Sequence, residues 1–237
     1  MPYVTGGFPG VDADLLRALQ DAGADAVEVG IPFSDPVMDG GVIQQASAAS
    51  LEAGTRPTDV LDTIAKAALD VPVAVMTYAN PVFRRGYDAM VNDATRAGVL
   101  GFIVPDLPFD EAGDWIAACR ARDVATVFLG APGEGPSRIA AIADAARGFV
   151  YCVSTFGVTG ARERLAGTAA ELVRSLRQVT DLPLLVGVGI GTPEQATAAC
   201  TFADGVVIGS ALMARLVGGD RDGAVELARS FRGAIPA

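Results

Sequence analysis

Short runs rich in Val, Ile and Ala alternate with longer amphipathic stretches along the whole of this 237-residue chain. Strand signals fall near Pro2–Thr5, Ala26–Val29, Val73–Thr77, Gly101–Val104, Thr126–Leu129, Phe149–Val153, Leu184–Val186 and Gly205–Ile208. Between them, helical spacing covers Asp12–Ala22, Gly41–Ala53, Tyr87–Ala97, Glu111–Ala121, Pro136–Ala146, Ala169–Val179, Pro193–Phe202 and Ser210–Leu216, with a last helix at Gly223–Phe231. Strands separated by helices run parallel, and parallel sheets are covered on both faces. Eight such units in a chain of this length predict an α/β fold, a (β/α)8 TIM barrel, with an open doubly wound sheet as the alternative. No Ser- or Pro-rich linker divides the chain, so residues 1–237 are expected to form one domain. Nearly every strand runs into Gly, Pro or Asp, and in a barrel those segments are the loops of the catalytic face.

Composition narrows the chemistry. The net charge of −10 argues against a whole-surface affinity for nucleic acid, although backbone N–H groups at a helix N-terminus bind phosphate without net positive charge. No apolar run approaches the roughly 18 residues of a bilayer span and no basic region precedes an apolar one at the start, which predicts a soluble, cytoplasmic protein. The chain has no histidine, and Lys66 is its only lysine. A histidine-based zinc site, a His triad and a His general base are thereby excluded. Lys66 falls in a segment of helical periodicity, with Val60, Ile64 and Leu69 as its inner stripe, so a Schiff-base lysine at a strand end is unavailable. Cys119, Cys152 and Cys200 are far apart in apolar contexts and are expected to be buried free thiols. Proton transfers are left to carboxylates, tyrosines or cysteines.

One carboxylate stands out. In A-D-A-V-E-V-G-I-P-F-S-D-P-V-M-D-G-G, Glu28 interrupts an apolar strand. Alternation aims Ala26, Glu28 and Gly30 to one face and Val27, Val29 and Ile31 to the other. A carboxylate among small residues at the end of a strand points to a reaction cavity, unless a buried arginine or backbone donors satisfy it. In the last third, Gly157-Val158-Thr159-Gly160, Gly187-Val188-Gly189-Ile190-Gly191 and Gly209-Ser210 follow three successive strands. Glycines admit close approach of backbone N–H groups, and Ser210 adds a hydroxyl at a helix start, so a phosphorylated small substrate is expected.

These segments carry a resemblance. V-E-V-G-I-P-F-S-D-P-V-M-D-G with Gln44 shortly after, then M-T-Y-A-N-P, V-P-D-L-P, F-G-V-T-G, V-G-V-G-I and I-G-S-A, resembles the tryptophan synthase alpha subunit family over essentially the whole chain. The resemblance implies a lyase of tryptophan biosynthesis that cleaves indole-3-glycerol phosphate to indole and glyceraldehyde 3-phosphate. It implies Glu28 as general acid and base and Asp39 as acceptor for the indole N–H. Tyr78 and Tyr151 would line the pocket or orient Glu28, and Thr159 would meet Asp39 when its loop closes. Phosphate would be held by Gly160, Gly189, Gly209 and Ser210 with Gly187 nearby. Asp35, Pro36 and Asn80 would lie on loops facing a beta subunit. No metal or cofactor is implied for this chain, since pyridoxal phosphate would belong to the beta subunit.

The chain departs from the family pattern in three places. The additional N-terminal helical segment of the family is lacking before the first strand, which predicts lower stability than a full-length relative. Gly41 stands where a proline is usual, which should loosen the Asp39 loop. Thr155 and Phe156 replace the arginine-containing version of some members. Two other functions fit the same residues: a stand-alone lyase releasing free indole, and a non-catalytic barrel that binds phosphate ligands and regulates a partner.

Overall fold

A computed structural model describes residues 1–153 and 162–235, with the side chains of 162–167 also outside the description. Each predicted apolar run is a strand: β1 Tyr3–Thr5, β2 Val27–Gly30, β3 Val73–Met76, β4 Val99–Ile103, β5 Ala125–Gly130, β6 Val150–Val153, β7 Leu184–Gly187 and β8 Gly205–Val206. They are hydrogen-bonded in chain order, every pair parallel. The ends meet through a bridge between Pro2 and Ile208, where the Tyr3 N–H donates to the Ile208 carbonyl at 2.9 Å and the Ile208 N–H to the Met1 carbonyl at 3.0 Å. The sheet is thereby rolled into the (β/α)8 barrel the alternation predicts, which rules out the open sheet.

Helices cover the outside: α1 Ala13–Asp21, α2 Gly41–Glu52, α3 Pro57–Ala67, α4 Ala79–Arg85, α5 Tyr87–Arg96, α6 Gly113–Arg120, α7 Pro136–Ala145, α8 Arg162–Arg177, α9 Pro193–Ala199, α10 Ser210–Val217 and α11 Arg221–Ala234. Local chemistry sets several starts. Asp12 caps α1 by accepting from the Leu15 N–H at 2.9 Å, and Thr192 with Gln195 forms a capping box on α9. Asp12 also takes two hydrogen bonds from Arg221, at 2.9 and 2.7 Å, tying α11 back to the start of α1. No helix among the described residues is long and apolar enough to cross a membrane.

Two helices correct the sequence expectations. The segment with Lys66 is α3, whose buried stripe is Val60, Leu61, Ile64 and Ala67; it stops at Ala68, held at φ 46°, so Leu69 lies beyond the helix. The Ala-Asn-Pro segment is not a loop. It opens α4, with Asn80 and Pro81 in the first turn, where proline is tolerated because its missing N–H would have no partner.

Alternation divides the apolar residues into two layers. Val27, Val29, Val75, Phe102 and Val186 face outward and pack with Leu15, Leu19, Ile64, Trp115, Leu212 and Phe231 from the helices. Each such side chain contributes about 1.5–3 kcal/mol on burial. Ala74, Ile103 and Val127 form a second cluster with Met76, Leu129, Phe149 and Tyr151 inside the barrel. The register places Tyr3, Glu28, Ala74, Gly101 and Ala125 side by side. Three of those five are Ala or Gly, which leaves room beside the carboxylate.

Candidate active site

Glu28 points into the barrel from β2 and is 2% exposed, and its Oε2 is shut from solvent with no hydrogen-bond partner. The satisfied-glutamate alternative required a buried arginine or backbone donors for the carboxylate, and Oε2 has neither. Burial, with the Asp39 carboxylate adding to it, pushes the Glu28 pKa up to about 8. At neutral pH this side chain carries a proton. Tyr3, its register partner on β1, is buried with its hydroxyl 3.3 Å from Thr5 Oγ1. Sequence reasoning missed Tyr3 as a site residue, although its place beside Glu28 follows from the pairing of the first two strands.

Two tyrosines enter the cavity through spaces left by glycine. A Cβ built on Gly187 would collide with the Tyr151 hydroxyl, and one on Gly30 would collide with that of Tyr3. Each phenol leans two residues forward along the neighbouring strand, since Tyr151 pairs with Leu185 and Tyr3 with Glu28. Burial raises both phenol pKa values well above the usual range, so both stay neutral donors. Gly187, expected near phosphate, serves here as the socket for Tyr151.

Asp39 sits half-buried in the loop between β2 and α2. Gln44 Nε2 closes that loop by donating to the Asp39 carbonyl at 2.9 Å. Burial raises the Asp39 pKa to about 6, against a lowering by the nearby Tyr78 hydroxyl. That hydroxyl accepts from the Met38 N–H at 3.1 Å, and the Tyr78 ring stacks on Phe33 at 5.1 Å.

Where phosphate was expected, Gly209 caps α10 without any side-chain hydrogen bond, and Ser210 is the first, exposed residue of that helix. The contrast with α9 is informative. There Gln195 Oε1 accepts from the Gly191 and Thr192 N–H groups at 2.7 and 3.1 Å. A Cβ on Gly40 would lie 3.7 Å from Ser210 Oγ, so the α10 start adjoins the Asp39 loop. Gly189 is exposed at φ 85°, and the preceding Val188 holds φ 70°. A β-branched residue in the left-handed region costs about 1–3 kcal/mol, and no sequence signal marked it. Thr159 and Gly160 lie outside the described residues, as do Thr155 and Phe156.

Asp35 and Pro36 lie in the β2–α2 loop, whereas Asn80 stands on α4. Two apolar side chains beside them, Val37 and Phe83, are 76% and 73% exposed. Phe83 was not anticipated because its helix was not. Cys119 and Cys152 are buried with thiol pKa values pushed by burial to about 12, while Cys200 is only half-buried, contrary to expectation. Among the described residues no cluster of acidic or cysteine side chains is arranged to hold a metal ion.

The family model described as the tryptophan synthase alpha chain matches residues 1–231. The tryptophan synthase alpha chain of Mycobacterium avium (strain 104) is 45% identical over 217 residues, spanning 90% of this chain and 80% of that one. A crystal structure of tryptophan synthase from M. tuberculosis in an aminoacrylate-bound form superposes with a TM-score of 0.90 at 37% identity, covering 99% of this chain and 92% of that chain. The tryptophan synthase subunit alpha of Legionella pneumophila superposes at 0.90 with 32% identity, covering 99% and 91%. An eight-stranded barrel with a buried, protonated glutamate, and this degree of likeness over nearly its full length, lead to one assignment: the chain belongs to the tryptophan synthase alpha chain family.

Proposed function

We propose that this chain cleaves indole-3-glycerol phosphate to indole and glyceraldehyde 3-phosphate as the alpha subunit of tryptophan synthase, working beside a beta subunit in tryptophan biosynthesis. The observation that carries the catalytic assignment is Glu28 itself, a carboxyl group buried inside the barrel with one oxygen unpartnered and its pKa near 8. Cleavage is a retro-aldol step and needs an electron sink. Protonated Glu28 donates to indole C3, which makes the ring an indolenine cation. The resulting carboxylate then removes the proton from the glycerol hydroxyl on the carbon attached to C3. As that oxygen becomes an aldehyde carbonyl, the carbon–carbon bond breaks and its electron pair restores the indole ring. Glu28 ends protonated, so one residue serves both transfers.

Asp39, largely ionised at neutral pH with a pKa of about 6, accepts the ring N–H and stabilises positive charge as it develops on that nitrogen. Tyr151 and Tyr3 flank the cavity as neutral donors. The phosphate is held at the start of α10 by Gly209 and Ser210 with Gly189, where uncapped N–H groups and the helix dipole favour an anion. The ring nitrogen of the substrate is the electron sink, so the chain needs no cofactor of its own, and pyridoxal phosphate belongs to the beta subunit. We assign the protein to the cytoplasm and residues 1–237 to one domain, on the continuous core that links all eight strands.

The beta-subunit face is assigned to Asp35, Pro36 and Asn80, with Val37 and Phe83 as exposed apolar side chains on the same two elements. Indole release should be measured with and without a beta subunit. Slow release that the partner accelerates at least about tenfold supports the subunit role. Rapid release with no response to the partner supports a stand-alone lyase, and no indole in either case leaves a binding or regulatory barrel.

A further inference from the structure

We propose that Tyr78 is the positioning residue for Asp39, its hydroxyl fixing the Asp39 loop through the neighbouring Met38 N–H and tying that loop to the start of α4. The inference rests on the role given to Asp39 above and adds a residue to it. Tyr78 is 2% exposed and stands at the N-cap of α4. Its ring is held on one side by Phe33, with centroids 5.1 Å apart and planes at 27°. Its oxygen accepts the Met38 N–H at 3.1 Å across 40 residues of sequence. Met38 directly precedes Asp39, so this bond pins the loop one residue from the carboxylate, and the phenolic proton, not used in accepting it, lowers the Asp39 pKa against its burial.

The Tyr78 backbone is fixed as well. The next N–H, that of Ala79, donates to Asp106 Oδ1 at 2.8 Å, so an aspartate from the loop after β4 caps α4 from outside. The loops after β2 and β4 therefore hold the Tyr78 side chain and the N–H that follows it. The ionisable groups around the pair are all acids or phenols: Glu28 faces Asp39 from β2, Tyr3 and Tyr151 face it from β1 and β6, and Asp106 faces Tyr78. Tyr78 thus holds the loop that carries Asp39, and its hydroxyl favours the charged carboxylate against its burial. Phe83 and Asn80 are displayed by the same short helix, so a protein seated on α4 would press on the element that carries Tyr78.

The test compares wild type, Tyr78→Phe, Tyr78→Leu, Asp39→Asn and the Tyr78→Phe/Asp39→Asn double variant in indole formation across pH. Tyr78→Phe keeps the stack and loses only the hydroxyl. It should lower kcat at least about tenfold while KM stays within about threefold, and shift the acid limb of kcat/KM upward by about one pH unit. Tyr78→Leu should lose more, and Tyr78→Phe should add nothing once Asp39 is already Asn. An unchanged kcat and acid limb in Tyr78→Phe, beside an inactive Asp39→Asn, would overturn the role of Tyr78 alone. A raised KM with unchanged kcat would also overturn it, by making Tyr78 a direct substrate contact. Full activity in Asp39→Asn would remove the role of Asp39 and this inference with it.

Discussion

The hydroxyl of Tyr151 occupies the space that a side chain on Gly187 would fill, one strand away inside the barrel. Tyr151 is thereby locked by its neighbour's lack of a Cβ. Gly187→Ala should push the phenol out of its place, lowering kcat/KM at least about tenfold and costing about 1–3 kcal/mol of stability by overpacking. Steady-state kinetics with denaturant unfolding would check this. Both values unchanged would show that Tyr151 has another place to go.

The pH profile follows from two carboxyl groups of unlike surroundings. Glu28 must begin protonated and has a pKa of about 8, and Asp39 must be ionised and has a pKa of about 6. The plot of kcat/KM for the free enzyme should be a bell that rises through about 6 and falls through about 8. Initial rates between pH 5 and 9.5 would check it, and a profile flat across that range would count against both assignments.

Stability carries the same signature with a definite sign. The Glu28 pKa rises from 4.5 to about 8 on folding, so between those values the native state holds a proton the unfolded chain has released. Its contribution is fully present below pH 4.5 and is lost as pH rises through about 8. Glutamine does not titrate. Glu28→Gln should melt close to wild type at pH 4.5 and above it by roughly 5 °C at pH 8.5. Thermal unfolding at both pH values would decide the matter, with a constant difference as the contrary result.

How much of this was legible depended on where the determining atoms lie along the chain. All eight strands were readable because each is an apolar run bounded by Gly, Pro or Asp, and Glu28 was readable because a charge in such a run has few innocent explanations. The helix α4 was not, since Ala-Asn-Pro has turn composition and its cap, Asp106, lies 27 residues away. With that helix went Phe83. Tyr3 was missed because a three-residue strand has too little alternation to fix its inner face without its partner. Val188 runs against its own propensity, so only the folded loop reveals its conformation. Gly187 was singled out for a phosphate, whereas its neighbour across β6 gives it a steric role.

Loop entropy gives another test. Gly41 is the first residue of α2, nothing lies within 4 Å of a Cβ added there, and Gly40 before it is extended at φ −71° and ψ 159°. That geometry suits proline at the first helical position and the residue preceding it. Gly41→Pro should stabilise the protein by about 0.4–1 kcal/mol and lower KM by ordering the Asp39 loop. A loss of stability would mean that the Gly41 N–H is needed as a donor.

The closure of the helical layer rests partly on Asp12, which caps α1 and receives both Arg221 hydrogen bonds. Arg221 holds its carboxyl below the usual range. Asp12→Ala should cost about 1–2 kcal/mol, mostly the cap, because the ion pair is partly exposed. Arg221→Ala should cost less than half as much, and urea unfolding of both variants would separate the two contributions.

The most direct measurement is kcat for indole formation by Glu28→Gln against wild type at pH 7, with the beta subunit present. Glutamine keeps the shape and cannot exchange the proton, so kcat should fall by about 10²–10⁴ with KM little changed and the fold intact by circular dichroism. A kcat within about threefold of wild type would contradict the assignment of Glu28 as the proton donor and acceptor.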